Sequence, residues 1–254
     1  MKGASGLELR GKTLIVTGAS RGIGRALALE LAQNRVNLVL NARSEALLKE
    51  VATLARGKGV HASTVVGDAA LADNVRRMVK AANRTGEFVG FIHDAGTAHP
   101  GPFLYELPEA MFENVWRTNV LAGYQLARFS YPELRRRKSG LAVFFGSGAA
   151  EMNVEGLGPY CLSKAAEEHL ARQLATEAPE ITCFVYRPGV VDTEMQKGAR
   201  EAKGSGAEVL HRVFGELKER GLQTPETAAR ALVQIIQRDP RRFHGKIATY
   251  KDGL

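Results

Sequence analysis

Short apolar runs alternate along the chain with segments whose apolar positions recur every three or four residues. The apolar runs predict buried strands, at 13–18, 36–41, 60–66, 88–96, 141–147, 181–189 and 245–250. The periodic segments predict helices, at 22–34, 44–56, 71–83, 108–138 and from about 159 onward. Strands that alternate with helices are typical of parallel βαβ units. The pattern predicts an α/β fold, with a Rossmann-like, doubly wound parallel sheet of about seven strands and helices on both faces.

The length of 254 residues fits one α/β domain, and no internal repeat or long low-complexity linker divides the chain. We therefore predict a single dinucleotide-binding and catalytic domain over 1–254. The segment 197–208 is rich in glycine, alanine and charge, which indicates a mobile insertion. A wider segment, 192–223, is predicted to form a lid over a substrate.

The composition is ordinary for a globular protein, with 44% hydrophobic and 24% charged residues. The net charge of +8 is spread along the chain, and no aromatic residues interleave with the basic runs at 135–138 and 241–242. This pattern favours a solvated charged face over a nucleic-acid site, and the excess positive charge would also help to bind an anionic small ligand. Cys161 and Cys183 form no metal-binding or redox motif, so we expect reduced thiols, no metal site and a cytoplasmic protein. No apolar run approaches 18 residues, so no membrane span is expected.

The segment "TGASRGIG" (17–24) lies between the first predicted strand and the first predicted helix. Glycines at Gly18, Gly22 and Gly24 permit a tight turn, close approach of the backbone to a pyrophosphate and close packing of helix on strand. The start of a helix offers free N–H groups to phosphate oxygens. The turn therefore predicts a dinucleotide site, to which the intervening Ser20, Arg21 and Ile23 also belong.

The glycine spacing, Gly-x-x-x-Gly-x-Gly, resembles that of the short-chain dehydrogenase/reductase family, and the resemblance extends from about Leu9 to Tyr250. The family pattern implies four catalytic residues. Ser147 ends the fifth predicted strand, Tyr160 follows 13 residues later, and Lys164 lies four residues further on. Asn119, in the predicted helix 108–138, matches the family asparagine, which orders a water beside the lysine.

These residue types suit the reduction of a carbonyl group, which needs a hydride on carbon and a proton on oxygen. A tyrosine ordinarily has a pKa of about 10, and a nearby ammonium favours its phenolate form. Lys164 lies on the same helix face as Tyr160, within reach of the phenol oxygen and a cofactor ribose. Ser147 can donate a hydrogen bond to the substrate oxygen while negative charge develops there.

The resemblance also implies further residues that bind the cofactor. Pro188, Gly189, Val191 and Thr193 match the segment that meets the nicotinamide carboxamide. Asp68 matches the residue at the adenine, and Ala95 with Gly96 match the turn at the adenine ribose. Asp94 departs from the family, which usually has asparagine there; an ionised aspartate accepts hydrogen bonds but cannot donate them.

The end of the second predicted strand bears on the choice between NAD and NADP. NAD-binding proteins place an acidic residue there to hold the ribose 2′-hydroxyl, whereas this chain has Ala42 followed by Arg43. A guanidinium suits a 2′-phosphate, and Arg21 and Ser44 could contribute to the same site. The cofactor is therefore predicted to be NADP(H). The alternative interpretation of Arg43 is that it is only an exposed charge at the start of the next helix and does not bind the cofactor.

The segment "RPGVVDTEMQ" (187–196) resembles the branch of the family that contains sepiapterin reductase and benzil reductase. We expect a small-molecule carbonyl substrate, a small ketone or vicinal diketone, contacted by Ser147, Met195 and Phe214. Apolar residues near the site either line this pocket or pack in the core: Met152, Val154, Leu157, Met195 and Phe214. Glu151 and Glu155 lie nearby without an assigned role.

Two alternatives remain open from the sequence: reduction of a carrier-linked 3-oxoacyl chain, and non-catalytic sensing of NADP. The retention of Ser147, Tyr160 and Lys164 argues against a sensor. The family resemblance further implies a homodimer or homotetramer, built on the helices at about 108–138 and 159–178.

Overall fold

The computed structural model describes residues 7–254, and its centre is one parallel sheet of seven strands. The strand order is β3-β2-β1-β4-β5-β6-β7. The strands are β1 (Thr13–Thr17), β2 (Asn37–Ala42), β3 (Ala62–Val66), β4 (Phe88–His93), β5 (Gly140–Phe145), β6 (Ile181–Arg187) and β7 (Ile247–Thr249). The predicted fold class is confirmed, and the order reverses direction between β1 and β4, as in doubly wound sheets.

Helices cover both faces of the sheet. Within the described residues the helices are α1 (Gly22–Gln33), α2 (Glu45–Arg56), α3 (Ala72–Thr85), α4 (Glu109–Trp116), α5 (Ala122–Arg136), α6 (Gly158–Glu177), α7 (Glu194–Arg200), α8 (Ala207–Glu219) and α9 (Pro225–Arg238). On one face, α1, α2 and α9 bury side chains such as Leu27, Leu48 and Leu232. On the other, α3, α5 and α6 bury Met78 and Leu126 among others.

The strands divide their side chains between these two cores. In β1, Leu14 and Val16 belong to the core under α1, whereas Ile15 belongs to the core under α3 and α5. Successive side chains of a strand point to opposite faces, so a sheet covered on both sides has continuous apolar strands. This explains why the strands are visible in the sequence as unbroken apolar runs.

The fourth strand is shorter than predicted, because it ends at His93 and the chain leaves the sheet at Asp94. The next residue, Ala95, crosses close over Gly18: a Cβ added to Gly18 would lie 2.8 Å from the Ala95 backbone nitrogen. The third and seventh strands also begin two residues later than predicted, at Ala62 and Ile247. The carboxyl end of β4 is thus occupied by a turn that approaches the glycine segment.

The predicted helix 108–138 is interrupted, because one π turn (Arg117–Leu121) separates α4 from α5. The side chain of Asn119 lies in this turn, where Oδ1 accepts from the Thr97 N–H at 2.9 Å and Nδ2 donates to the Thr97 carbonyl at 3.0 Å. A π turn widens the helix locally and is frequent at functional sites. The position of Asn119 is therefore determined by its pairing with the loop after β4.

The segment 197–208 is packed against the domain, which differs from the predicted mobile insertion. Ala199 and Ala202 are buried, and the Gly206 N–H donates to the Gly101 carbonyl at 2.8 Å. Between them, α7 and α8 occupy most of 192–223, and the lid role of that segment stays a prediction. The small residues allow two loops to approach closely, which a sequence pattern cannot distinguish from flexibility.

Other expectations concern what the chain does not contain. Both cysteines are free and buried, as predicted. In residues 7–254 there is no cluster of three or more side chains suited to holding a metal ion. No helix in the same range is long and apolar enough to cross a membrane.

A glycine in the centre of the sheet provides a test of this fold. Gly90 has φ +147°, and an added Cβ would lie only 1.8 Å from the Leu141 carbonyl oxygen of β5. We predict that Gly90→Ala lowers the free energy of unfolding by at least about 2 kcal/mol, through backbone strain and lost strand pairing. Urea denaturation would measure this change.

Gly215 offers the matched control, because it lies within α8 and an added Cβ there meets nothing within 4 Å. Gly215→Ala should leave stability unchanged or raise it by up to about 1 kcal/mol, since alanine favours helix. Equal effects of the two substitutions would contradict the strand pairing described here.

Candidate active site

A cavity of about 820 Å³ opens at the carboxyl ends of the strands, beside β1 and β4, between which the strand order reverses. Ligands of doubly wound folds bind in this crevice. The cavity extends from the end of β2, past the turn before α1, to the start of α6. Predicted site residues that line it are Gly18, Ser20, Arg21, Gly22, Ile23, Arg43, Ser44, Asp68, Ala95, Gly96, Tyr160, Lys164, Pro188, Thr193 and Met195.

Six predicted residues do not line the cavity. They are Gly24, Asn119, Ser147, Gly189, Val191 and Phe214. Gly24 supports the turn from behind, and Ser147 follows Gly146, which does line the cavity. Phe214 packs with the cluster around Leu157, to which Tyr160 also contributes.

The glycine turn brings backbone segments closer together than side chains would allow. A Cβ on Gly24 would lie 2.4 Å from the Gly18 carbonyl oxygen and 2.6 Å from Asp94 Oδ2. Helix α1 begins at Gly22, and the residue before it, Arg21, makes no side-chain cap. The first N–H groups of α1 are therefore available to bind an anion. The neighbouring backbone at Gly18 and Gly24 leaves no room for a Cβ atom. These features fit the pyrophosphate of a dinucleotide.

The cavity wall at the end of β2 carries positive charge. Arg43 is exposed, and Arg21 and Ser44 line the same part of the cavity. Within residues 7–254 neither arginine has an ion-pair partner. Asp68 also lines the cavity, but its carboxylate already has partners within the protein. It accepts hydrogen bonds from Arg117 Nε at 2.7 Å and from the Ala70 N–H at 2.8 Å.

Tyr160 and Lys164 lie one turn apart near the start of α6, with the Lys164 ammonium 5.7 Å from the centre of the Tyr160 ring. Tyr160 is half-buried, whereas Lys164 is buried. The Lys164 Nζ donates to the Phe145 carbonyl at 2.7 Å and to Glu167 Oε2 at 2.7 Å. Burial by itself lowers the pKa of Lys164, but the negative charges of Glu167, Tyr160 and Asp94 together outweigh burial, so the net shift is upward.

Asn119 stands behind this pair and is fully buried. Besides its two bonds to Thr97, its Nδ2 donates to Ser163 Oγ at 2.8 Å, and the Ser163 hydroxyl donates to the Tyr160 carbonyl at 2.9 Å. The π turn is thereby linked directly to the first turn of α6. The predicted catalytic asparagine thus lies close to Tyr160 and Lys164, but its side chain bonds to Thr97 and Ser163 and to neither of these two residues.

Ser147 lies two residues after the end of β5, and its backbone is held by Glu168, a residue that the sequence analysis did not single out. The Ser147 N–H donates to Glu168 Oε1 at 3.2 Å, and its Oγ accepts from the Ala149 N–H at 3.1 Å. Glu168 in turn accepts two bonds from Arg187, at 2.8 Å each, and Glu151 also accepts from Arg187 at 2.7 Å. The structure therefore gives Glu151 a partner.

The segment after β6 holds its shape through backbone contacts. Val191 forms an isolated parallel bridge with Gln223, in which the Gln223 N–H donates to Val190 and the Asp192 N–H donates to Gln223. This bridge leaves the Val191 N–H and carbonyl themselves unused. A Cβ on Gly189 would lie 2.6 Å from Gln223 Nε2, which explains glycine there.

Two buried titratable residues near Lys164 were not predicted from the sequence. His93 and Glu167 are both fully buried, and they lie 3.8 Å apart between Nε2 and Oε1. The only signal in the sequence was a glutamate seven residues after Tyr160, on the face of α6 that carries Lys164. Asp94, partly open to the cavity, completes this group, and burial raises its pKa to about 8.

The chain is similar along most of its length to proteins of one family. The family model described as short chain dehydrogenase matches residues 12–204, more than half of the chain. An uncharacterized oxidoreductase of Saccharomyces cerevisiae is 32% identical over 251 residues, which cover 95% of this chain and 96% of that protein. An NADPH-dependent pterin aldehyde reductase of Arabidopsis thaliana is 31% identical over 195 residues, covering 76% of this chain and 80% of the relative.

A solved structure agrees with these sequence matches. The crystal structure of a short chain dehydrogenase/reductase from Saccharomyces cerevisiae superposes with a TM-score of 0.84 at 29% identity. The match covers 95% of this chain and 97% of that one. With the family model, the full-length relatives and the cavity in agreement, the chain belongs to the short-chain dehydrogenase family, whose members are oxidoreductases that use NAD(P)(H).

Proposed function

We propose that this protein is an NADPH-dependent carbonyl reductase that acts on small ketones or vicinal diketones. The observation that carries the proposal is the arrangement of Tyr160 and Lys164 in the wall of a cavity whose far end is lined by Arg43. The glycine turn and the start of α1 would hold the pyrophosphate, and Arg21, Arg43 and Ser44 would hold a 2′-phosphate. When bound, NADPH supplies the hydride.

The chain's own residues then have distinct tasks in the reduction. Tyr160 gives its phenolic proton to the substrate oxygen, and Ser147 donates a hydrogen bond to that oxygen as negative charge develops. The Lys164 ammonium stabilises the phenolate that remains on Tyr160. Glu168 and Arg187 hold the Ser147 backbone next to Gly146, which lines the cavity with Tyr160.

Support for the substrate class comes from the cavity beside Tyr160. This part is lined by Ala98, His99, Pro100, Gly146 and Met195. The wall is largely apolar and suits a flat or aromatic carbonyl compound. A relative named for NADPH-dependent reduction of a pterin aldehyde supports both the cofactor and this class. Phe214 packs against the same buried cluster as Tyr160 and would act on substrate binding through that cluster.

An oligomer accords with the exposed apolar side chains on α4, α5 and α6. Met111, Trp116, Tyr124 and Leu162 are each between 42% and 46% exposed. Exposed apolar surface of this kind is typical of protein interfaces. We therefore retain the homodimer or homotetramer built on these helices as part of the proposal.

The proton donor is tested by removing one oxygen atom. Tyr160→Phe should fold and bind NADPH but lose turnover by roughly 10²–10⁴-fold, because a positioned acid contributes that much. Turnover would be followed by NADPH absorbance. Tyr105→Phe is the matched control, since Tyr105 is 84% exposed and should tolerate the change. A loss below about tenfold for Tyr160→Phe would remove the assignment.

Coenzyme choice is tested at the end of β2. Arg43→Ala should weaken NADPH binding by about 10–100-fold and leave NADH binding almost unchanged, since charge-assisted hydrogen bonds contribute about 1.5–3 kcal/mol. Fluorescence titration with both coenzymes measures this. Arg238→Ala removes an exposed arginine from the end of α9 and should alter neither affinity. Equal affinity of the unmodified protein for NADPH and NADH would show that the end of β2 does not select the coenzyme.

The substrate class is tested by comparing carbonyl compounds. We expect benzil to give a higher kcat/KM than a carrier-linked 3-oxoacyl substrate, because the second carbonyl of a diketone withdraws electrons and favours hydride attack. Met195→Ala should raise KM more than it lowers kcat, since Met195 would contact substrate without taking part in proton transfer. Preference for the carrier-linked chain would favour the first alternative, and the absence of any turnover would favour a sensor.

A further inference from the structure

The buried ammonium of Lys164 has a buried anion beside it. Glu167 follows Lys164 by three residues on α6, and its Oε2 accepts from the lysine Nζ at 2.7 Å. Both side chains are buried, Glu167 completely. Tyr160, Lys164 and Glu167 are spaced four and then three residues apart, so they follow one face of the helix. The ion pair therefore continues the catalytic face of α6 into the interior.

The other oxygen of Glu167 points to a second buried group. Within the described residues Oε1 has no hydrogen-bond partner, and it lies 3.8 Å from His93 Nε2. His93 Nε2 is also 3.2 Å from the Asn119 carbonyl, and Nδ1 is 2.8 Å from Thr17 Oγ1. A carbonyl only accepts hydrogen bonds, so the imidazole proton belongs on Nε2, where it faces both Asn119 and Glu167.

The charges around this pair favour an ionised Lys164. Burial, together with the positive charge of Lys164, lowers the pKa of His93 to about 3, so the imidazole is neutral. Burial raises the pKa of Glu167 to about 7, against the pull of Lys164. Glu168, the next residue on α6, is already paired with Arg187. Asp94, on the β4 side, has no direct contact with the ammonium, so Glu167 is the carboxyl that can balance Lys164 at short range.

We propose that Glu167 is a positioning residue for Lys164, which keeps the buried ammonium charged, and that the neutral His93 imidazole lies behind the pair without a hydrogen bond to it. This inference rests on the proposed reductase function, because it assigns a partner to the lysine that supports Tyr160. Without the carboxylate, the lysine would lie in a desolvated site where its neutral form is favoured. The Tyr160 phenolate would then lose the cation that stabilises it.

Stability measurements test the ion pair without any turnover. We would compare Glu167→Gln, Lys164→Met and the double variant by urea denaturation at roughly pH 9, above the Glu167 pKa of about 7, where the carboxylate is ionised. Removing only the carboxylate leaves a buried cation unbalanced, so Glu167→Gln should lower the unfolding midpoint more than the double variant does. Additive effects of the two substitutions would overturn the proposed pairing.

The pH dependence of reduction then separates positioning from mere packing. We would measure kcat/KM for benzil with NADPH from roughly pH 6 to 10. In Glu167→Gln the alkaline limb should move to lower pH by about one unit or more, because Lys164 loses its proton earlier. Glu167→Asp keeps the charge but shortens the side chain, so its limb should move in the same direction by less.

Glu177→Gln is the control, since Glu177 lies exposed in the last turn of the same helix and should leave the profile unchanged. If Glu167→Gln does not fold, the Glu167→Asp profile carries the test. Reduced rates with an unmoved alkaline limb in every folded Glu167 variant would overturn the proposal. A protein with no carbonyl turnover would instead contradict the proposed reductase, and the stability cycle would still decide whether Glu167 balances Lys164.

Discussion

A buried ammonium must be balanced by nearby acceptors, and this requirement at Lys164 organises the carboxyl edge of the sheet. The Phe145 carbonyl at the end of β5 and the Glu167 carboxylate within α6 both accept from the same nitrogen. A carbonyl at a strand end and a side chain on a helix are thereby fixed to one point. The helix that carries Tyr160 cannot shift along the sheet without breaking the bond to the Phe145 carbonyl, whereas Glu167 lies on the same helix and moves with Lys164. Loss of the Phe145 bond would leave the buried ammonium with one acceptor fewer.

Asn119 makes a second connection that has the same consequence. Its amide joins the loop after β4 to Ser163 on α6, and it does so from a π turn between α4 and α5. Three separate elements are therefore held in register around the cavity by one buried side chain. Because a buried amide left unpaired costs free energy, these bonds define a single arrangement of the loop, the π turn and the helix.

The opposite side of the cavity depends on the absence of side chains. At Gly18 and Gly24 the backbone of the first turn comes so close to Asp94 and Ala95 that no Cβ would fit. The resulting wall is made of backbone groups and the start of α1, which suits phosphates. One side of the cavity thus holds a cation between buried acceptors, whereas the other offers N–H groups to an anion.

The seven strands and the helices on both faces of the sheet could be predicted from the sequence, because a sheet buried on both faces needs strands that are apolar throughout. The glycine turn, Ser147, Tyr160 and Lys164 could also be found, because their spacing resembles that of the short-chain dehydrogenase/reductase family. Strand ends and the break at Asn119 could not, because they depend on Ala95 meeting Gly18 and on Asn119 meeting Thr97. The sequence by itself determined the sheet, its two covering layers and the residue types of the candidate site. Only the tertiary structure decided that the Lys164–Glu167 pair is buried beside His93, and that Glu168, Arg187 and Glu151 support Ser147. The physical reason is that the spacing along a helix brings Lys164 and Glu167 together, whereas the burial of their charges depends on elements far apart in the chain.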